Sequence, residues 1–188
     1  MSAREILQYK TTTPITLAYP TDVTNQNPLD NTDDGSTCSA KIFDAGKDNV
    51  LTADEAAAQT VLDVANAGDY DVDDTIELEL DDGTIHSATI SSIDTDSGEI
   101  TIGTQLPSQA SVGNRFRTKL GATITMLEYG TPKLGMTDWG FRGTILETHV
   151  GLIPDLEVDI EIIFIGAVAG GLNRVDVIRA IVRELDLA

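Results

Sequence analysis

Hydrophobic and polar residues alternate along much of this chain, which is the pattern of half-buried β-strands. The clearest case is residues 75–80, where three aliphatic side chains alternate with two glutamates. Residues 156–165 repeat the alternation with valine and isoleucine against acidic residues. We therefore predict that both segments are strands with one face in a core and one face in water.

The segment around the first of these strands predicts a compact β meander. Asp82 and Gly83 follow the alternating strand directly, and this dipeptide suits the left-handed backbone of a tight hairpin turn. About five strands are expected, which is enough to curl into a small barrel or roll. They cover residues 60–64, 75–80, 85–93, 99–102 and 115–120.

The first fifty residues predict an extended arm that pairs onto the rest of the protein. Residues 11–19 are rich in threonine and contain the alternating Ile15 and Leu17, so we predict a strand there. A long polar segment follows. Residues 38–44 then predict a second strand, which we expect to pair with the first.

Two segments favour helical structure. Thr52 and Glu55 have the spacing of a capping box before three alanines, which predicts a short helical turn. Near the end of the chain we predict a helix whose apolar stripe covers one face of a second sheet, although its β-branched content is unfavourable in helices. The stripe consists of Leu172, Val175, Ile178, Ile181, Val182 and Leu185.

These patterns together predict a mainly β protein. We expect two small antiparallel β modules, barrel-like or sandwich-like, with an extended N-terminal arm and a C-terminal helix. A chain of 188 residues suits two small modules, because typical domains contain about 100–150 residues. We place the arm at residues 1–50, the first module at 51–120 and the second at 121–188.

Charge is segregated along the chain. Residues 22–99 hold twenty acidic residues against Lys41 and Lys47, whereas residues 100–188 hold ten acidic and eight basic residues. An excess of Asp over Lys is also typical of proteins from saline environments, but such a bias should extend over the whole chain. A strongly anionic surface repels nucleic acids and anionic membranes, and it attracts cations or basic protein surfaces. We expect no sequence-specific nucleic-acid binding.

Neither a membrane span nor a secretory leader is expected from the sequence. No apolar stretch approaches the roughly 20 residues that cross a bilayer. The first residues also lack a basic segment followed by an apolar one. We therefore predict neither membrane insertion nor signal-directed secretion.

The acidic loops raise the question of a bound cation. Asp30, Asp33 and Asp34 lack the spacing of a calcium-binding helix-loop-helix, and Lys41 stands where the closing glutamate would be. A looser cation site is an alternative, formed by Asp69, Asp71, Asp73 and Asp74. We predict instead an acidic surface without metal or cofactor, comprising Asp69, Asp71, Asp73, Asp74, Asp81 and Asp82.

No combination of residues predicts catalysis. His86 follows the hairpin, His149 lies near Glu147 in a predicted loop, and neither accompanies a nucleophile in a recognisable setting. Cys38 is the only cysteine, so the sequence excludes an internal disulfide and the usual zinc ligand sets. We therefore predict that the protein is not an enzyme.

An aromatic and basic group among glycines predicts a subunit contact. It consists of Trp139, Phe141 and Arg142. Trp and Arg are enriched at the energetic centres of protein interfaces. The equally weighted alternative is that Trp139 anchors a small core and that Arg142 lies at its rim.

Part of the first module also resembles a known family. The pattern lies in residues 60–64, 68–76, 91–94, 98–102 and 106–110. It resembles a small β module that recurs in virion structural proteins of tailed double-stranded DNA viruses, and it covers about a third of the chain. Such modules usually have Gly where this chain has Asp73, and Asp tolerates left-handed geometry better than most residues.

The resemblance implies a non-enzymatic component of the virion. We expect a homo-oligomer that contacts copies of itself and other virion proteins, such as portal, capsid or tail proteins. Our first choice is the neck between portal and tail, where an acidic channel would let DNA pass without adhering. A capsid decoration protein is the alternative within this class. The alternative of another class is a cation- or glycan-binding module.

Overall fold

The protein is mainly β, as predicted, in a computed structural model that describes residues 5–8, 13–18, 37–129, 140–145, 156–165 and 173–183. Within these ranges the helical structure is limited to a 3-10 turn at Ala67–Asp69. The strands are β1 (Glu5–Gln8), β2 (Thr13–Ala18), β3 (Thr37–Val50), β4 (Val61–Asp63), β5 (Thr75–Glu79), β6 (Ile85–Asp94), β7 (Glu99–Ile102), β8 (Arg115–Tyr129), β9 (Gly140–Ile145), β10 (Glu157–Ile165) and β11 (Asn173–Arg183).

The chain forms two compact units. Unit 1 comprises Met1–Ile42 together with Gly121–Ala188, and unit 2 comprises Phe43–Leu120. The chain therefore enters unit 2 within β3 and leaves it within β8, so the division falls inside strands. The predicted module at 51–120 lies inside unit 2, whereas the predicted arm contributes residues to both units.

Unit 2 is an antiparallel meander with the strand order β8-β5-β6-β7-β4, and β3 lies beside β8. The sheet is not closed into a barrel, so the barrel alternative is wrong. The reason lies at β4, which contains three residues and pairs with β7 on one side. Beside it, the Thr52 amide donates to the Asp63 carbonyl at 2.9 Å, and Leu51 forms a β-bridge with Val64. Residues 51–52 therefore occupy the edge of β4 with which a closing strand would have to pair.

One face of the unit 2 sheet forms a dense apolar core. The ring of Tyr70 meets that of Phe116 edge to face, with centroids 5.0 Å apart. Each fully buried aliphatic or aromatic side chain stabilises the fold by about 1.5–3 kcal/mol. The core consists of Leu51, Leu62, Val64, Ala67, Tyr70, Ile76, Leu78, Leu80, Ala88, Ile90, Ile100, Ile102, Leu106, Ala110 and Phe116.

The second face of β5 differs from the prediction at one position. Glu79 is exposed as expected, but Glu77 is buried and lies opposite Arg117 of β8. Its Oε1 atom is 3.8 Å from Nζ of Lys119, and the guanidinium of Arg117 lies 3.7 Å from the ring centroid of Phe43. The alternation correctly predicts that Glu77 points away from the apolar core. The basic side chains of β8 nevertheless cover Glu77 and exclude it from water.

Gly83 and Asp73 are among the turn residues that take the left-handed conformation. Gly83 has φ +80°, and its amide donates to the Leu80 carbonyl at 2.9 Å. The hairpin turn therefore ends in a left-handed glycine, as in hairpin loops with a glycine β-bulge. Asp82 is not left-handed, in contrast to the expectation for both residues of the dipeptide. Asp73 has φ +75°, a conformation that Gly, Asn and Asp adopt more readily than other residues.

Unit 1 contains the N-terminal and C-terminal strands. β10 pairs antiparallel with β11, β1 pairs parallel with β11, and β2 pairs antiparallel with β9. The predicted pairing of the first strand with residues 38–44 is therefore wrong, because β3 lies between β10 and β8. The described core of this unit includes Cys38, Ala40, Ile42, Ile124, Met126, Phe141, Ile145, Val158, Ile160, Ile162, Phe164 and Ala180.

The predicted C-terminal helix is wrong, because Asn173–Arg183 form strand β11. Its residues pair with β10 over nine positions, including Ile178 with Ile160 and Arg179 with Asp159. Arg179 binds the buried Asp159 carboxylate through two nitrogens, at 2.7 and 2.6 Å. β-Branched residues lose side-chain freedom in a helix, and the backbone of β10 offers hydrogen bonds that a helix would not use.

Two further boundaries differ from the prediction. The predicted strand at 115–120 continues across the predicted module boundary as one strand, β8, which passes through Gly121 at φ +64°. Glycine adopts this conformation without steric cost, so the strand continues where the sequence suggests a break. The capping-box segment forms no helix, because Glu55 instead makes a β-bridge to Ala110.

Candidate functional site

The candidate site is the acidic surface of unit 2, which the structure describes throughout. Unit 2 has sixteen acidic and four basic residues, and ten of the acidic residues are exposed. The ten are Asp48, Asp54, Asp69, Asp71, Asp73, Glu79, Asp81, Asp82, Asp94 and Asp96. Most of the charge excess therefore faces solvent.

Lys47 neutralises part of this surface from within the chain. Its Nζ atom donates to Oδ2 of Asp71 at 2.7 Å and to Oδ2 of Asp74 at 2.8 Å. Burial alone would lower the pKa of Lys47, but the two carboxylates outweigh that effect, so its pKa is raised. The lysine thus stays charged and lies where the alternative of a bound cation would place a metal ion.

Hydrogen bonds from backbone amides fix the loop that carries these aspartates. The Asp71 amide donates to Oδ2 of Asp74 at 3.0 Å, and the Asp73 amide donates to the Ile90 carbonyl at 2.9 Å. Asp69 is exposed at the end of the 3-10 turn. Among the residues that the structure describes, no three His, Cys, Asp or Glu side chains are grouped so that they could hold a metal ion.

Asp81 organises the loop that precedes β8. Its carboxylate accepts hydrogen bonds from the amide and hydroxyl of Ser111, at 2.8 and 2.7 Å, and from the Asn114 side chain at 2.9 Å. These bonds favour the ionised form and lower the pKa of Asp81, with the bonds from Ser111 as the largest cause.

Asp82 has an equivalent role within the hairpin. Its carboxylate accepts from the hydroxyl and amide of Thr84, at 2.6 and 2.9 Å, and from the Ser108 hydroxyl at 2.9 Å. The bonds from Thr84 are the main cause of its lowered pKa. Both aspartates are therefore ionised, exposed and held in one geometry, which gives the surface fixed negative charges.

The other basic residues of unit 2 are also engaged by neighbouring side chains. Arg115 binds Asp48 through two nitrogens, at 2.9 and 2.5 Å. Arg117 stacks on Phe43, and Lys119 lies near Glu77. Lys and Arg side chains supply the charge that attracts DNA phosphates, and these contacts hold the cationic groups of unit 2 close to its own acidic and aromatic side chains.

Of the predicted aromatic contact group, the structure describes the side chain of Phe141. Phe141 is fully buried, and its ring centroid lies 5.6 Å from that of Phe164, so Phe141 belongs to the core of unit 1. The backbone of Arg142 lies in β9 opposite Thr16 and Leu127. Trp139 lies outside the described residues, as does the side chain of Arg142.

Of the two histidines, His86 lies in the part of the chain that the structure describes. Nε2 of His86 is 3.3 Å from the Thr104 hydroxyl, and His86 is half-buried. His149 and Glu147 lie outside the described residues, as do Asp30, Asp33 and Asp34.

Lys47 is the main site residue whose role the sequence did not predict. Lys47 is one of only two basic residues within 22–99, and this rarity is the feature of the sequence that could have indicated its role. Its contacts with Asp71 and Asp74 span 24 and 27 positions, however, so local spacing could not identify its partners.

A scan against models of protein families matches none of them, and a search of curated proteins finds no match either. In the described part of the chain, no helix has the length and apolar character of a membrane span.

Proposed function

We propose that this protein is a non-enzymatic virion structural protein that forms a homo-oligomeric ring in the neck of a tailed virus. The observation that supports this function is the charge distribution of unit 2. Unit 2 carries ten exposed acidic residues, and neighbouring side chains contact its four basic residues. A channel lined by several such units would repel DNA phosphates at short range.

The folded meander also suits a structural part. Its core is apolar and continuous, and hydrogen bonds from Ser111 and Thr84 hold the acidic loops. A ring multiplies each weak contact between subunits by symmetry, so small units are sufficient. The partners we propose are copies of this chain and the portal and tail proteins on either side.

The first experiment is native mass spectrometry combined with electron microscopy of the purified protein. We expect a closed ring with a central channel and with unit 2 facing that channel. A protein that stays monomeric at high concentration would contradict the neck proposal. A protein that forms no ring but binds assembled capsid shells would instead support capsid decoration, our second candidate.

The second experiment tests the repulsion of DNA directly. Asp69→Lys with Asp96→Lys adds four positive charge units on the exposed surface of unit 2. The control adds the same charge at exposed positions of unit 1, through Ala122→Lys, Thr123→Lys, Thr125→Lys and Leu127→Lys. We expect wild type to leave the mobility of double-stranded DNA unchanged, and the unit 2 variant to retard DNA more than the control. Equal retardation by the two variants would contradict the proposal that the acidic surface of unit 2 faces the DNA.

A further inference from the structure

Glu55 is a buried carboxylate that the proposed function does not use. Glu55 is 2% exposed, and its Oε1 atom accepts a hydrogen bond from the Asp63 amide at 2.7 Å. A buried carboxylate is costly when ionised unless it is paired with a cation or well hydrogen-bonded. The position of Glu55 is therefore sensitive to its protonation state.

Glu55 also lies at the centre of a contact between two segments of unit 2. Its amide donates to the Ala110 carbonyl at 2.7 Å, and the Ala110 amide donates back at 3.0 Å. Two further bonds of 2.9 Å join Ala58 and Gln59 to Leu106. Residues 51–59 are therefore fastened to residues 106–112 by a short ladder that includes Glu55.

The charged groups that act on the Glu55 carboxylate are all acidic. They are Asp54 in the same segment, Asp63 on β4 and Glu99 on β7. Residues 106–112, on the opposite side of the ladder, contain no titratable side chain. Burial is the largest cause that raises the pKa of Glu55, and the three acidic neighbours act in the same direction against the hydrogen bond from Asp63.

We propose that Glu55 is a pH-sensitive latch. It takes up a proton as the pH falls, which removes the cost of keeping a carboxylate out of water, and the closed position of residues 51–59 against residues 106–112 is then held more firmly. The sign follows from linkage. A raised pKa means that the folded protein binds this proton more tightly than the unfolded chain. The latch is therefore strongest below the ordinary Glu value of 4.5 and weakens as the pH rises through the folded value. This inference is independent of the proposed place in a virion.

The direct test is an NMR titration of the side-chain carboxyl carbons of the full-length protein. We expect the Glu55 carbon to titrate above the ordinary Glu value of 4.5. A Glu55 midpoint at or below 4.5 would overturn the proposal. This measurement uses the wild-type protein, so it stands even if a variant fails to fold.

The second test is amide hydrogen exchange of wild type and Glu55→Gln at pH 7 and pH 5, corrected for the intrinsic pH dependence. In wild type, we expect protection of the Ala110 and Glu55 amides to rise on acidification, by up to about tenfold for each unit by which the pKa is raised. In Glu55→Gln, protection should be equal at both pH values. The exposed Asp96→Asn variant should behave as wild type, and a Glu55→Gln variant that keeps the wild-type pH dependence would refute the latch.

Discussion

At the scale of single residues, Lys47 acts as an internal counterion. Clustered carboxylates are otherwise neutralised by cations from solution. Asp71 and Asp74 lie within hydrogen-bond distance of its ammonium, and the Lys47 side chain is 18% exposed. The Asp74 side chain is 19% exposed and that of Asp71 is 80% exposed, so water screens the contact with Asp71 more strongly than the contact with Asp74. Lys47 therefore contributes both to the stability of unit 2 and to the local charge.

We predict that Lys47→Met destabilises the protein by about 1–2 kcal/mol at low ionic strength, because it leaves Asp74 half-buried without its cation. Chemical denaturation gives the free energy of unfolding. About 1 M sodium chloride should restore part of the loss, since ions screen the repulsion that remains. Lys47→Arg keeps the charge and is the control. Equal stability of the Met variant and wild type would contradict the role of Lys47.

Asp81 predicts a particular dependence of stability on pH. Its folded pKa lies below the ordinary value of 3.8, so its hydrogen bonds stabilise the protein above that value. The contribution is lost as the pH falls through the lowered folded pKa. We expect Asp81→Asn to have a lower urea midpoint than wild type at pH 5, and a smaller further decrease between pH 5 and pH 2.5.

The exposed Asp96 offers a control for this pH experiment. Asp96→Asn should lose stability between the two pH values as wild type does. Asp81→Asn would contradict the assignment if its midpoint fell by as much as that of wild type. The hydrogen bonds from Ser111 and Asn114 would then not depend on the charge of Asp81.

At the scale of elements, the period of two identifies strands and the buried face of each strand. Ile160 and Ile162 of β10 are buried as the alternation predicts. The pattern near the end of the chain is ambiguous, because its apolar residues fit the spacing of a helix and also that of a strand. The structure resolves β11 as a strand because β10 pairs with it over nine positions, a contact that no local pattern contains.

Strand β6 provides a matched test of the two faces. Ile90 is fully buried and Ile85 is 47% exposed on the same strand. We predict that Ile90→Ala lowers the free energy of unfolding by about 2–5 kcal/mol through lost burial and a cavity. Ile85→Ala should lower it by less than about 1 kcal/mol. Similar losses in thermal or urea unfolding would show that the register of β6 is different.

At the scale of the whole molecule, a formal net charge of −19 makes stability depend on ionic strength. We predict that sodium chloride raises the melting temperature, because it screens repulsion among the exposed carboxylates. Calcium at the same ionic strength should add little, since Lys47 already lies on Asp71 and Asp74.

A thermal melt in millimolar calcium against matched sodium chloride makes this comparison. A ligand that binds only the folded state raises the melting temperature in a saturable manner. A saturable shift specific to calcium, abolished by Asp71→Asn with Asp73→Asn, would contradict the description of this region as a charged surface without a ligand. The same pair of salts applied to Lys47→Met should show whether removal of the internal cation creates affinity for calcium.

The sequence by itself determined the mainly β class, most strand positions, the core faces of β5 and β10, and the sign of the surface charge. These properties follow from local periodicity and composition, because successive side chains of a strand point to opposite faces. Only the tertiary structure decided that β2 pairs with β9, that β11 is a strand and that Lys47 binds Asp71 and Asp74. Such contacts join distant parts of the chain, and their free energy depends on neighbours that no local pattern specifies.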